Sequence, residues 1–126
     1  MKFSKLVFLV AGIYGLLVTL PLYNETSTAQ TFPPAVNHPE YYYGFIGTVI
    51  AWQIAFIFIS RDPLKQRPLI IPAIMEKMIY AASIFILAFQ GRVAGAMTAF
   101  AAIDFILGVL FIISYILTGK GKESQD

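Results

Sequence analysis

Three ionisable side chains interrupt the apolar stretches of this 126-residue chain. Glu76 and Lys77 stand side by side in one stretch, and Asp104 stands alone in the next, within "GAMTAFAAIDFILGVL". A carboxylate or ammonium facing lipid at mid-bilayer costs at least ~2.5–3.5 kcal/mol on insertion scales. Each must therefore turn inward, find a partner or lose its charge. Two chemistries fit such a trio. One is a satisfied hydrogen-bond network that fixes helix register, with Lys77 snorkelling to the cytoplasmic surface. The other is a carboxylate pair that binds a proton, a cation or a polar headgroup, the default reading of ionisable residues inside a membrane.

Spacing recruits neutral polar groups to the same layer. Glu76, Tyr80, Ser83 and Gln90 recur at helical offsets and predict a polar stripe on one face. In an antiparallel pair, Glu76 and Lys77 fall about five residues, ~7 Å, to the cytoplasmic side of Asp104. A lysine side chain covers much of that distance. Gln53 and Tyr14 fall at similar depth in two other stretches, and Trp52 is placed to pack or to line a cavity. The candidate ligand-binding set is thus Tyr14, Trp52, Gln53, Glu76, Lys77, Tyr80 and Asp104. Gly95, Ala101 and Gly108 share a small-residue face with Asp104 that suits close helix approach. With one histidine, His38, and no cysteine, thiol chemistry is excluded, and no metal or other cofactor is expected.

The elements that must position these groups follow from composition. The chain is 58% hydrophobic and 13% charged, against about 25% charged in an ordinary soluble domain. Four apolar runs, residues 6–23, 41–60, 69–90 and 93–117, are each long enough to cross a core of about 30 Å. The expected fold is all-α: an integral membrane four-helix bundle, up-down-up-down, forming a single domain over 1–126. An outer loop spans 24–40 and a flexible tail 119–126. Pro39 and Pro68 suit first helical turns, and Pro72 sits awkwardly inside the third run. The short connection around Gly91 and Arg92 predicts an antiparallel hairpin of runs three and four.

Of nine lysines and arginines, Lys2, Lys5, Arg61, Lys65, Arg67, Lys120 and Lys122 fall on one side of the runs. Arg92 falls on the other, and Lys77 within a run. The positive-inside rule then puts both termini in the cytoplasm. The first run, about 18 residues, exceeds a signal-peptide core of about 7–15, so it is expected to be retained as a span. Tyr23, Tyr41, Tyr42 and Tyr43 mark the outer boundary as an aromatic belt. His38 and Glu40 are expected to cap the second span around Pro39. Asn24-Glu25-Thr26 matches a glycosylation sequon, a pattern common by chance. Net charge is +2 without a dense basic block, so membrane lipids, and not nucleic acid, are the implied partners.

The stretches "IYGLLVTLPLY", "HPEYYYGFIGTVIAWQIAFIFISRDPLKQRPL" and "EKMIY" with "FQGR" resemble a family of short bacterial four-helix membrane proteins. The likeness is looser to the DoxX-like small membrane proteins. It implies a bacterial inner-membrane protein whose four spans form one unit, and implies no catalytic residue. Sterol-isomerase-like four-helix proteins, which set acidic groups around a hydrophobic ligand, offer an analogy for Glu76, Asp104 and Trp52. Small multidrug exporters also carry a membrane carboxylate, but the first span here holds no acidic residue. The leading expectation is a non-enzymatic accessory subunit, working with a membrane-protein partner or as a homo-oligomer, or a binder of lipid-like molecules. The alternatives are a small proton-coupled transporter and a lipid-modifying enzyme using Glu76 and Asp104.

Overall fold

In lipid every backbone N–H and C=O needs an internal partner, and a long apolar run meets that demand as a helix. A computed structural model describes residues 2–31 and 37–120. They form α1 (Lys2–Thr19), a short 3₁₀ turn (Leu20–Tyr23), α2 (Glu25–Thr31), α3 (Pro39–Arg61), α4 (Arg67–Phe89) and α5 (Gly95–Gly119). Among the described residues there is no strand. Four segments are long and apolar enough to cross a membrane: Lys2–Tyr23, Pro39–Arg61, Arg67–Phe89 and Gly95–Gly119. At 1.5 Å per residue, the 23 residues of α3 or α4 reach about 35 Å. Large apolar side chains such as Leu17, Ile79, Phe89 and Ile116 stand exposed on the outside, as a lipid-facing surface requires. The chain thus has the features of a multi-pass membrane protein.

Helices in lipid gain nothing from hiding apolar surface from one another, so close packing and polar contacts must hold them. α1 packs on α3 through glycine. A Cβ on Gly12 would lie 2.8 Å from the Gln53 carbonyl oxygen and 2.7 Å from Ile57 Cγ1, and one on Gly15 would collide with the Gln53 side chain. α4 packs on α5 at Gly108, where a Cβ would meet Lys77 Cβ at 3.3 Å and Met78 Cε at 2.9 Å. The two pairs join through three buried phenylalanines. Phe8 stacks on Phe111 at 4.2 Å, and Phe56 meets Phe111 edge-on at 5.0 Å. Val7, Ala11, Ile59, Ile70, Ala73 and Leu107 complete this core, which gathers at the end of the bundle carrying Lys5, Arg61 and Arg67.

Local chemistry sets the ends. Gly91 takes φ +71°, the Gly91 N–H bonds the Ala88 carbonyl and the Arg92 N–H bonds the Leu87 carbonyl. These paired bonds stop α4 with a left-handed glycine, which lacks the Cβ that would strain the turn. At the other end of α4, Arg67 donates to the Tyr115 carbonyl (2.9 and 3.1 Å) and to Thr118 Oγ1 (3.1 Å). Its guanidinium lies 3.8 Å from the centre of the Tyr115 ring. A cation there complements the negative C-terminal end of α5.

Several expectations need revision. The stretch read as an outer loop contains α2, which starts where Asn24 Oδ1 accepts the Ser27 N–H at 3.0 Å. His38 occupies the cap position of α3, but its side chain makes no capping bond; it packs beside the Tyr41 ring at 5.4 Å. Gly95 has nothing within 4 Å of a built Cβ and mediates no approach, whereas Ala101 and Gly108 are buried. Pro72 lies inside α4, which continues through it. Pro33, Pro34 and the tail beyond Lys120 lie outside the described residues.

Candidate functional site

The glycine contacts decide where the polar side chains meet. Because Gly108 lets α4 press against α5 at Lys77, the lysine lies level with Gly108, one helical turn along α5 from Asp104. Its side chain extends that turn, and Lys77 Nζ donates to Asp104 Oδ1 at 3.3 Å. Glu76 Oε1 lies 3.6 Å from the same nitrogen. Nζ also sits 5.3 Å from the centre of the Phe56 ring, within cation–π range. Lys77 is 3% exposed, against 15% for Asp104 and 16% for Glu76. Lys77 therefore does not snorkel to the surface. Asp104 provides a nearer counter-charge than the water beyond the helix end.

Gln53 enters from the other helix pair. It is fully buried, and Nε2 donates to the Val49 carbonyl at 2.9 Å. That bond fixes the amide orientation, since the oxygen cannot face another carbonyl oxygen. Gln53 Oε1 is left against Gly15 with no hydrogen-bond partner, while Glu76 Oε1 has only its ion pair with Lys77.

Above the phenylalanine core the two helix pairs part, and a cavity of about 550 Å³ lies between them. Its floor is Tyr14, Gln53, Glu76, Lys77, Tyr80 and Asp104. Its walls are apolar, with Val18, Phe45, Val49, Ile84, Met97 and Phe100, and its far end is bounded by Leu22, Ser27, Thr28 and Tyr42. The volume lies within the usual range of roughly 300–1,000 Å³ for small-molecule sites, which likewise pair apolar walls with a few convergent polar groups.

Six of the seven candidate residues thus meet at one surface. Trp52 is not among the cavity's lining residues: it packs against Phe56 and lines an adjoining hollow of about 280 Å³ with Thr48, Pro72 and Met75, which shares Val49 and Glu76 with the cavity. Of the predicted stripe on α4, Glu76 and Tyr80 line the cavity; Ser83 and Gln90 are exposed, and Gln90 accepts from Arg92 at 3.2 Å. Ile84, one turn beyond Tyr80, takes the wall position instead.

The boundary tyrosines also serve the site. The Tyr42 hydroxyl donates to the Leu22 carbonyl, Tyr43 donates to Glu25 Oε1 at 2.8 Å, and Tyr23 stacks on Tyr43 at 6.0 Å. These contacts fasten α2 and the 3₁₀ turn to the start of α3, which sets the cavity's far end. Sequence reasoning missed α2, Gly15 and the apolar walls. The legible signal was Asn24 ahead of Glu25, a cap residue followed by an acid in the first turn. Nothing in spacing alone singles out Met97 or Phe100.

Among the described residues no group of three or more histidine, cysteine, aspartate or glutamate side chains could hold a metal ion. No family model, no curated protein and no solved structure matches the chain.

Proposed function

We propose that this is a bacterial inner-membrane protein that binds a lipid-like molecule, without transforming it, in the cavity between its two helix pairs. The apolar cavity ending on Lys77 and Asp104 is the observation that carries this reading. An occupant inside a bilayer must hide a polar end and keep its hydrocarbon in apolar surroundings, and floor and walls meet those two demands. The volume suits one drug-sized amphiphile. A purely structural polar network would favour close packing around the ion pair, so the open space favours a ligand over an accessory scaffold.

In this proposal the helices run up-down-up-down with both termini cytoplasmic. The contact pairs support the alternation: Phe8 with Phe56 and Tyr23 with Tyr43, then Arg67 with Tyr115 and Lys77 with Asp104. The clustering of Lys2, Lys5, Arg61, Lys65, Arg67 and Lys120 at one end supports the orientation. The cavity then faces the outer half of the membrane.

Native mass spectrometry of protein extracted in mild detergent tests the binding reading. Wild-type protein is expected to carry a retained small amphiphile. Met97→Trp, which fills the cavity wall, is expected to lose it. A wild-type monomer without any adduct contradicts the proposal.

A further inference from the structure

The floor of the cavity is unbalanced in two ways, and both point to the same ligand chemistry. It carries two carboxylates, Glu76 and Asp104, against one ammonium, Lys77. It also has acceptors in surplus. Gln53 Oε1, on a fully buried residue, accepts no hydrogen bond, and Glu76 Oε1 has only its 3.6 Å ion pair with Lys77. Lys77 is shared between Asp104 and Glu76, and the Gln53 amide nitrogen is committed to Val49. Buried polar atoms without partners are rare, and each asks for a donor.

Resting on the binding role proposed above, we infer that the molecule held in this cavity is a cationic amphiphile, an alkyl chain bearing a protonated amine. An ammonium supplies both what the floor lacks, positive charge and N–H donors. Four aromatic residues, Tyr14, Phe45, Tyr80 and Phe100, line the cavity, Tyr14 and Tyr80 at its floor, with Phe45 stacked on Tyr80 at 6.4 Å. Ring faces attract a desolvated cation. A fatty acid would bring a third carboxylate to the floor. A neutral alcohol would donate to one acceptor and leave the excess charge uncompensated. A bare metal ion lacks a donor set among the described residues, and the apolar walls would give it nothing.

Calorimetric titration of the purified full chain in detergent tests this with three probes of one chain length: dodecylamine, dodecanol and dodecanoic acid. The signal of Met97→Trp, whose cavity is filled, is subtracted as micelle partitioning. A hydrogen bond to a charged group contributes about 1.5–3 kcal/mol, so the amine is expected to bind about tenfold or more tightly than the alcohol. The acid is expected to bind most weakly. Glu76→Gln, close in shape, should collapse the preference for amine over alcohol. Equal binding of amine and alcohol by the wild-type protein overturns the inference and leaves the binding role standing. That result would mean a floor already neutralised, by a proton on a carboxylate. Absence of any Met97-dependent binding by all three probes overturns both.

Discussion

Asp104 is held by one lysine, and that lysine has a second carboxylate beside it. The arrangement predicts unequal effects of substitution at this residue. Asp104→Asn keeps an acceptor for Lys77 Nζ and is expected to cost no more than about 1.5 kcal/mol. Asp104→Leu removes the acceptor 3.3 Å from a nitrogen whose side chain is 3% exposed. Breaking a buried pair typically costs about 3–5 kcal/mol; the low end applies here because Glu76 remains 3.6 Å away. Adding Glu76→Gln to Asp104→Leu should cost more than the two single changes summed, since Lys77 then loses both counter-charges. Unfolding in mixed detergent, followed by circular dichroism, measures all four proteins. Equal midpoints for Asp104→Asn and Asp104→Leu would show that Lys77 does not depend on this carboxylate. The pairing was legible in sequence, because an aspartate and a lysine at matching depth in neighbouring spans have few other partners. The fate of Lys77 was not, because snorkelling and pairing compete over a distance of one helical turn.

At the scale of the element, glycines sort into those that set helix contact and those that do not. A methyl group on Gly12 would press on the Gln53 backbone oxygen at 2.8 Å and on Ile57. Backbone cannot move aside, so Gly12→Ala must part α1 from α3. At Gly15 the obstacle is the Gln53 side chain, which has the cavity to swing into. Overpacking costs typically about 1–3 kcal/mol; Gly12→Ala is expected near the top of that range and Gly15→Ala near the bottom. Gly44→Ala, Gly47→Ala and Gly95→Ala meet nothing within 4 Å and should be neutral or slightly stabilising, since alanine is the better helix former. Thermal unfolding in detergent ranks the five variants, and a Gly44 or Gly47 effect as large as that of Gly12 would contradict this packing. Glycine in an apolar run signals a helix contact only on average, so the sequence singled out Gly108, which sets one, together with Gly95, which touches nothing, and passed over Gly12 and Gly15. What decides between them is which face of each helix the partner meets, a property of the whole bundle.

For the whole molecule, the apolar runs and their lengths follow directly from composition, since a bilayer leaves an 18-residue apolar run few other structures. The seven-residue α2 was not legible, because a short Ser- and Thr-rich segment has weak helix propensity and is held here by its Asn24 cap and by Tyr43. The cavity was illegible for a related reason: it arises where two well-packed pairs part, and no residue pattern records that gap. The absence of native cysteine makes orientation simple to test. In intact cells an impermeant maleimide should label Asn37→Cys and spare Lys65→Cys; the reverse pattern would invert the proposed topology. The central claim, that the cavity rather than the outer surface holds the amphiphile, is tested most directly by photolabelling in membranes with a diazirine-bearing alkylamine. The account predicts that labelling concentrates on Ile84, Met97 and Phe100 and falls when unlabelled dodecylamine is added in excess. Labelling confined to the exposed Ile86, Phe89 and Ile116, unaffected by competitor, would place the probe in bulk lipid and contradict it.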